Sequence, residues 1–87
     1  SFMHVTALDI VNFKAETDPN EKAIWLYLLK RNLPKMEAGD REIKAHIQLD
    51  TAGKTFMGAF WAWSEQILAE GRQLLAAHES LIPAAYR

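Results

Sequence analysis

Along these 87 residues the apolar positions recur at helical spacing, and no stretch alternates at the period of two that marks a half-buried strand. Capping residues and prolines cut the pattern into four predicted helices. Thr6 and Asp9 stand three apart ahead of Ile10, Val11 and Phe13, a capping-box spacing that predicts a first helix near 6–16. Asp18-Pro19-Asn20-Glu21 is a stronger start: Asp18 can cap, Pro19 suits the first helical position, and Glu21 can reach back to the cap's N–H. A second helix is expected over 19–31, apolar almost all round from Ala23 to Leu29 and therefore the most buried. Asn32 and Pro34 predict its end, because a proline pushes the residue before it, here Leu33, out of helical conformation. Leu33 to Gly39 then reads as a loop. Asp40 reads as the cap of a short third helix over 41–50, with Ile43, His46, Ile47 and Asp50 along one side.

A turn around Thr51 to Gly53 leads into the longest predicted helix, 54–78. At about 100° per residue, Phe56, Phe60, Trp63, Ile67 and Leu74 share one narrow sector, the expected core stripe. Met57, Trp61, Leu68 and Leu75 form a second stripe roughly 100–140° away. Two stripes exceed what a surface helix needs, so the second is expected to meet either the bundle's flank or another chain. In the favoured case Trp61 anchors a protein contact with Glu65 and Arg72 at its rim. Gly71, near the core sector, marks a close approach or a kink. Residues 1–79 are expected to form one helical domain, and 80–87, after the break at Ser80-Leu81-Ile82-Pro83, a loose C-terminal tail.

Nearly half of the residues are hydrophobic and none is cysteine, so a packed core must hold this small chain without disulfides or a thiolate metal site. Asp9, Lys14, Glu16 and Asp18 interrupt any signal-peptide apolar region, and no run has the length of a membrane span. A cytoplasmic location and no membrane partner are expected. Ten basic against eleven acidic residues give a net charge of -1, which counts against a dedicated nucleic-acid-binding domain. Locally, Lys30, Arg31, Lys35, Arg41 and Lys44 outnumber Glu37, Asp40 and Glu42. That segment is either a solvated face or, in the alternative reading, a nucleic-acid contact. Arg41 to Trp63 even has a helix-turn-helix outline, although Gly53 comes eight residues after Ala45 where about four are usual.

The order of features resembles the YozE-type SAM-like domain, a small helical family of bacterial proteins related in shape to sterile alpha motifs. Ser1-Phe2-Met3-His4, Leu33-Pro34-Lys35, Asp40-Arg41-Glu42-Ile43, then Ile47, Leu49 and Asp50, and finally Ala62-Trp63 carry the resemblance, which spans roughly residues 1 to 69. It implies a compact bundle of about four helices without enzymatic residues; SAM-like folds elsewhere bind proteins, themselves or nucleic acid. The expected fold is thus all-α: a small orthogonal bundle of four main helices, SAM-like, with an extended last helix.

Gly53-Lys54-Thr55 is the tail of a phosphate-loop motif, but the first glycine of G-x-x-x-x-G-K-[ST] is replaced by Gln48. Helix-entry sequence is the better reading. His4, His46 and His78 lie on separate elements without a metal-ligand partner at i+3 or i+4. His46 and Asp50, four apart, suit a surface hydrogen bond, and consecutive His78-Glu79-Ser80 point about 100° apart, too divergent for a hydrolytic triad. Phe60, Trp61 and Trp63 lack the basic groove that a base-stacking platform needs. The expectation is a non-enzymatic interaction module, with a protein partner or a second copy bound through Met57, Trp61, Leu68 and Leu75. No cofactor, metal or small-molecule substrate is expected.

Overall fold

The computed structural model describes residues 2–46 and 51–87, and within them three α-helices and no strand. Helix α1 spans Phe2–Ala15, α2 Pro19–His46 and α3 Thr51–His78. Four expected helices become three because the predicted second and third lie on one continuous helix, as far as His46; Ile47, Leu49 and Asp50 fall outside the described residues. The expected orthogonal four-helix arrangement gives way to three helices in up-down-up order.

The first helix begins at Phe2, so Thr6 and Asp9 are interior residues rather than a capping box. Both are buried: the Thr6 hydroxyl donates to the Phe2 carbonyl at 2.6 Å, and Asp9 Oδ2 accepts from the Asn32 amide at 2.8 Å. Burial pushes the Asp9 carboxyl above its ordinary pKa, and the Asn32 hydrogen bond only partly opposes this.

The start of α2 follows the expected grammar, with Pro19 in the first helical position and the Asn20 N–H donating to Asp18 Oδ1 at 3.3 Å. The reach-back to the cap comes from upstream, however. Glu16 Oε1 accepts the N–H groups of Thr17 and Asp18, each at 3.0 Å, in place of Glu21. The Asp18 N–H, and then a hydrogen bond shared with Glu21, hold Glu16 below the usual carboxylate range; the same bond and the Glu16 charge push Glu21 up.

Pro34, expected to end α2, sits inside it. A mid-helix proline costs about 3 kcal/mol, through a lost backbone bond and a clash with the preceding turn. The continuation is worth more. Leu26, Leu29, Leu33 and Met36 are buried at spacings of 3, 4 and 3, and only an unbroken helix keeps Leu33 and Met36 on that face. Burying those two side chains is worth about 3–6 kcal/mol.

Helix α3 runs antiparallel to α2. Ser64 hydrogen-bonds Asp40, Arg72 pairs with Glu37 at 2.8 Å, and Gly71 faces Leu33. The inward face of α3 is centred on its small residues: Ser64, Ile67, Leu68 and Gly71 are buried, flanked by half-buried Phe60, Leu74 and Leu75. The two predicted stripes are therefore the two flanks of one buried face. Trp63 and Phe56, expected in the core, lie outside it and are 45% and 71% exposed. A Cβ on Gly71 would stand 2.9 Å from a Leu33 methyl, so this glycine marks a close helix approach.

Helix α1 lies antiparallel to α2 over the groove at one end of this hairpin. Phe13 meets Lys22 at one end and Phe2 meets Lys35 at the other, while Lys14 pairs with Glu70 of α3. The far halves of α2 and α3 project beyond α1, and the longest dimension of 46 Å is close to the ~42 Å length of a 28-residue helix. Residues 80–87, expected to hang loose, pack instead. Two 3-10 turns, Glu79–Leu81 and Ala84–Tyr86, bury Ile82 completely. Arg87 Nε donates to the Ile82 carbonyl at 2.8 Å, and Lys30 Nζ bridges Glu79 and the Arg87 carbonyl at 2.8 and 3.0 Å.

Candidate interaction surface

The expected interface stripe does not form an exposed patch. Leu68 belongs to the core, Leu75 packs against it, and Met57 and Trp61 are half-buried. Trp61 has intramolecular partners: the Phe60 ring meets it edge-on at 4.9 Å, and Lys44 Nζ lies 4.8 Å from its centre. Leu68 and Leu75 are thus taken by the bundle's own flank, while Met57 and Trp61 keep part of their surface exposed.

The basic side chains mostly touch a neighbour within the molecule, although Arg31, Lys35, Arg41 and Lys44 all remain exposed. Lys30 ties Glu79 and the Arg87 carbonyl, Lys44 caps Trp61, Lys35 lies over Phe2, and Arg31 lies over Tyr27. The Lys30 ammonium holds the Glu79 carboxyl below its ordinary range. Lys30 turns toward the C-terminal turns, Lys44 toward α3 and Lys35 toward α1, so the five basic residues do not make one phosphate-tracking face.

Three chemical signals seen in the sequence also resolve into local packing. Gly53, Lys54 and Thr55 lie in the opening turns of α3, and the preceding element is a helix rather than the strand that leads into a phosphate loop. His78 packs on Phe13 with ring centres 5.3 Å apart, Glu79 turns to Lys30, and the Ser80 carbonyl accepts from Arg87, so these neighbours diverge. Among the described residues no three His, Asp or Glu side chains converge into a metal-holding group. The His46–Asp50 pair lies partly outside the described residues.

An open concavity of about 260 Å³ lies between the start of α2 and the C-terminal turns, lined by Ile24, Tyr27, Ile82, Pro83 and Tyr86. It is mostly apolar and a little below the usual size of ligand pockets.

The surface that the sequence reading missed is the outside of α1. Its core side uses Met3, Thr6, Asp9, Ile10 and Phe13. Its solvent side is apolar too: Val5, Leu8 and Val11 are 43%, 58% and 59% exposed. Among the described residues these are three of ten exposed large apolar side chains, gathered on one side of one short helix. His4, Leu8, Val11 and Ala15 fall in line at spacings of 4, 3 and 4, the geometry of a helix-docking seam. Lys14 is the charged side chain nearest this arc, and it turns aside to Glu70. His4 closes one end of the seam with its ring edge-on to Trp63, centres 6.5 Å apart. The signal was legible in principle, since a helix begun at Phe2 has apolar residues on two opposite sides, and a second apolar side is normally covered as well.

No helix among the described residues is long and apolar enough to cross a membrane. Comparison of the chain with protein-family models, with curated proteins and with solved structures returned no match.

Proposed function

We propose that this chain is a non-enzymatic helical interaction module that binds another polypeptide through the outer face of α1. The observation that carries the reading is the exposed line His4–Leu8–Val11–Ala15, without Asp, Glu, Lys or Arg, on a helix whose other side is already core. Leaving so much apolar surface on 14 residues is a liability unless a partner covers it. A membrane-surface role fits less well, because an interfacial helix carries Lys and Arg opposite its apolar face, whereas α1 is turned there to its own core. The nucleic-acid alternative through Lys30, Arg31, Lys35, Arg41 and Lys44 is weaker because these residues spread around α2 instead of lining one face, and Lys30 is paired with Glu79. A SAM-like relationship stays a proposal of form only: Leu33-Pro34-Lys35, which carries part of the resemblance, lies mid-helix.

A photo-activatable residue in place of Asn12, beside the seam, tests this reading in cells producing the chain. A covalent adduct to a polypeptide at this position, absent with the same probe at Arg31 on α2, is the expected result. Absence of any adduct at position 12 would sink the proposal.

A further inference from the structure

We infer that the partner of α1 is a second copy of this chain, docked antiparallel along the same helix about a two-fold axis. The inference rests on α1's outer face being a docking surface, and it adds what occupies it. The first argument is charge. The seam carries no Asp, Glu, Lys or Arg, so a partner with a charged stripe would bury those charges unpaired, whereas the chain's own seam matches it. Shape is the second. In an antiparallel two-fold pairing, residues whose numbers sum to the same value face one another. Leu8 then lies on Val11 of the second copy, Val11 on Leu8, and the larger His4 opposite the small Ala15. Each interdigitation occurs twice, as an isologous interface requires. A parallel pairing would instead stack His4 on His4.

Sedimentation of the full chain over a wide concentration range tests the inference, with variants at exposed seam positions that leave the fold intact. Wild type is expected to pass reversibly from monomer to dimer. Leu8→Glu and Val11→Lys should each weaken association by on the order of 100-fold while circular dichroism stays unchanged. An equimolar mixture of the two variants should regain the dimer. Across one of the two symmetric contacts the introduced carboxylate then faces the introduced ammonium, and across the other Leu8 still meets Val11. Failure of the mixture to associate would overturn the antiparallel pairing, since parallel pairing offers no such match. A wild type that stays monomeric at every concentration would overturn the second copy altogether. In that case capture of a different polypeptide at Asn12 would leave the docking surface standing. Co-sedimentation of the monomer with phosphatidylglycerol vesicles, with no adduct, would remove both.

Discussion

The glycines divide cleanly by what surrounds them. Gly39 and Gly58 are interior helix residues with open space where a Cβ would stand, so Gly39→Ala and Gly58→Ala should each raise stability by about 0.5–1 kcal/mol. Gly71 is pressed against Leu33 and Leu29, and Gly71→Val should cost about 1–3 kcal/mol through overpacking. Urea denaturation of the three variants checks the contrast; equal effects at Gly58 and Gly71 would show that the α2–α3 approach is not tight. Asp9 offers a test in pH. Its folded-state pKa is raised by burial, so the stability it contributes is fully present below the unfolded value near 3.8 and is lost as pH rises through the folded value. Asp9→Asn has no charge to bury, and its carbonyl can accept the Asn32 hydrogen bond. The stability of this variant relative to wild type should therefore rise between pH 3.5 and 7. A difference that stays flat with pH would mean that Asp9 carries no such penalty.

At the scale of elements, α2 and α3 show burial overruling local rules. Met36, beyond Pro34 and almost fully buried, is held in place only because the helix continues, and Met36→Ala should cost about 2–5 kcal/mol. Trp63→Ala removes a larger side chain but one that is 45% exposed and touches the edge of His4, so about 1–2 kcal/mol is expected. Thermal or urea melts of the pair check the order. A larger loss at Trp63 would restore it to the core and imply a rotated α3. Among the described residues the ion pairs that cross between elements, Lys14–Glu70, Lys30–Glu79 and Arg72–Glu37, are largely solvent-facing and contribute no more than about 1 kcal/mol each. Apolar packing therefore sets the register of the helices, and the pairs decorate its edges.

At the scale of the molecule, stability should be uneven along the long axis. Where α1 covers the hairpin, the buried residues cluster: Phe13, Leu26, Leu29, Leu33, Ile67 and Leu68, with Ile82 closing the bottom. Residues 41–46 are all exposed, and most of 52–59 are as well. Amide hydrogen exchange should be slowest over 26–33 and 64–71 and much faster over 41–46 and 52–59, because local opening there breaks few apolar contacts. Uniform protection would indicate that the projecting half is covered in solution. The packed C-terminal turns predict a further asymmetry: truncation after Ser80 removes Ile82 and the Arg87 contacts, and should lower the melting temperature measurably.

Several features were legible from sequence because their causes are local. The helical class follows from apolar spacing, the start of α2 from Asp18-Pro19, and the close approach at Gly71 from a glycine in an inward sector. What sequence could not decide was each balance between a local preference and a distant partner. Pro34 argues locally for a stop, yet Leu33 and Met36 reward continuation only once α1 and α3 stand against them. The inward face of α3 was misjudged because its centre line is made of Ser64 and Gly71, which a search for large apolar residues passes over. Which side of α1 meets its own core is likewise settled by tertiary contact. Both sides of that helix are apolar, and only the position of α2 and α3 determines which one is left facing outward.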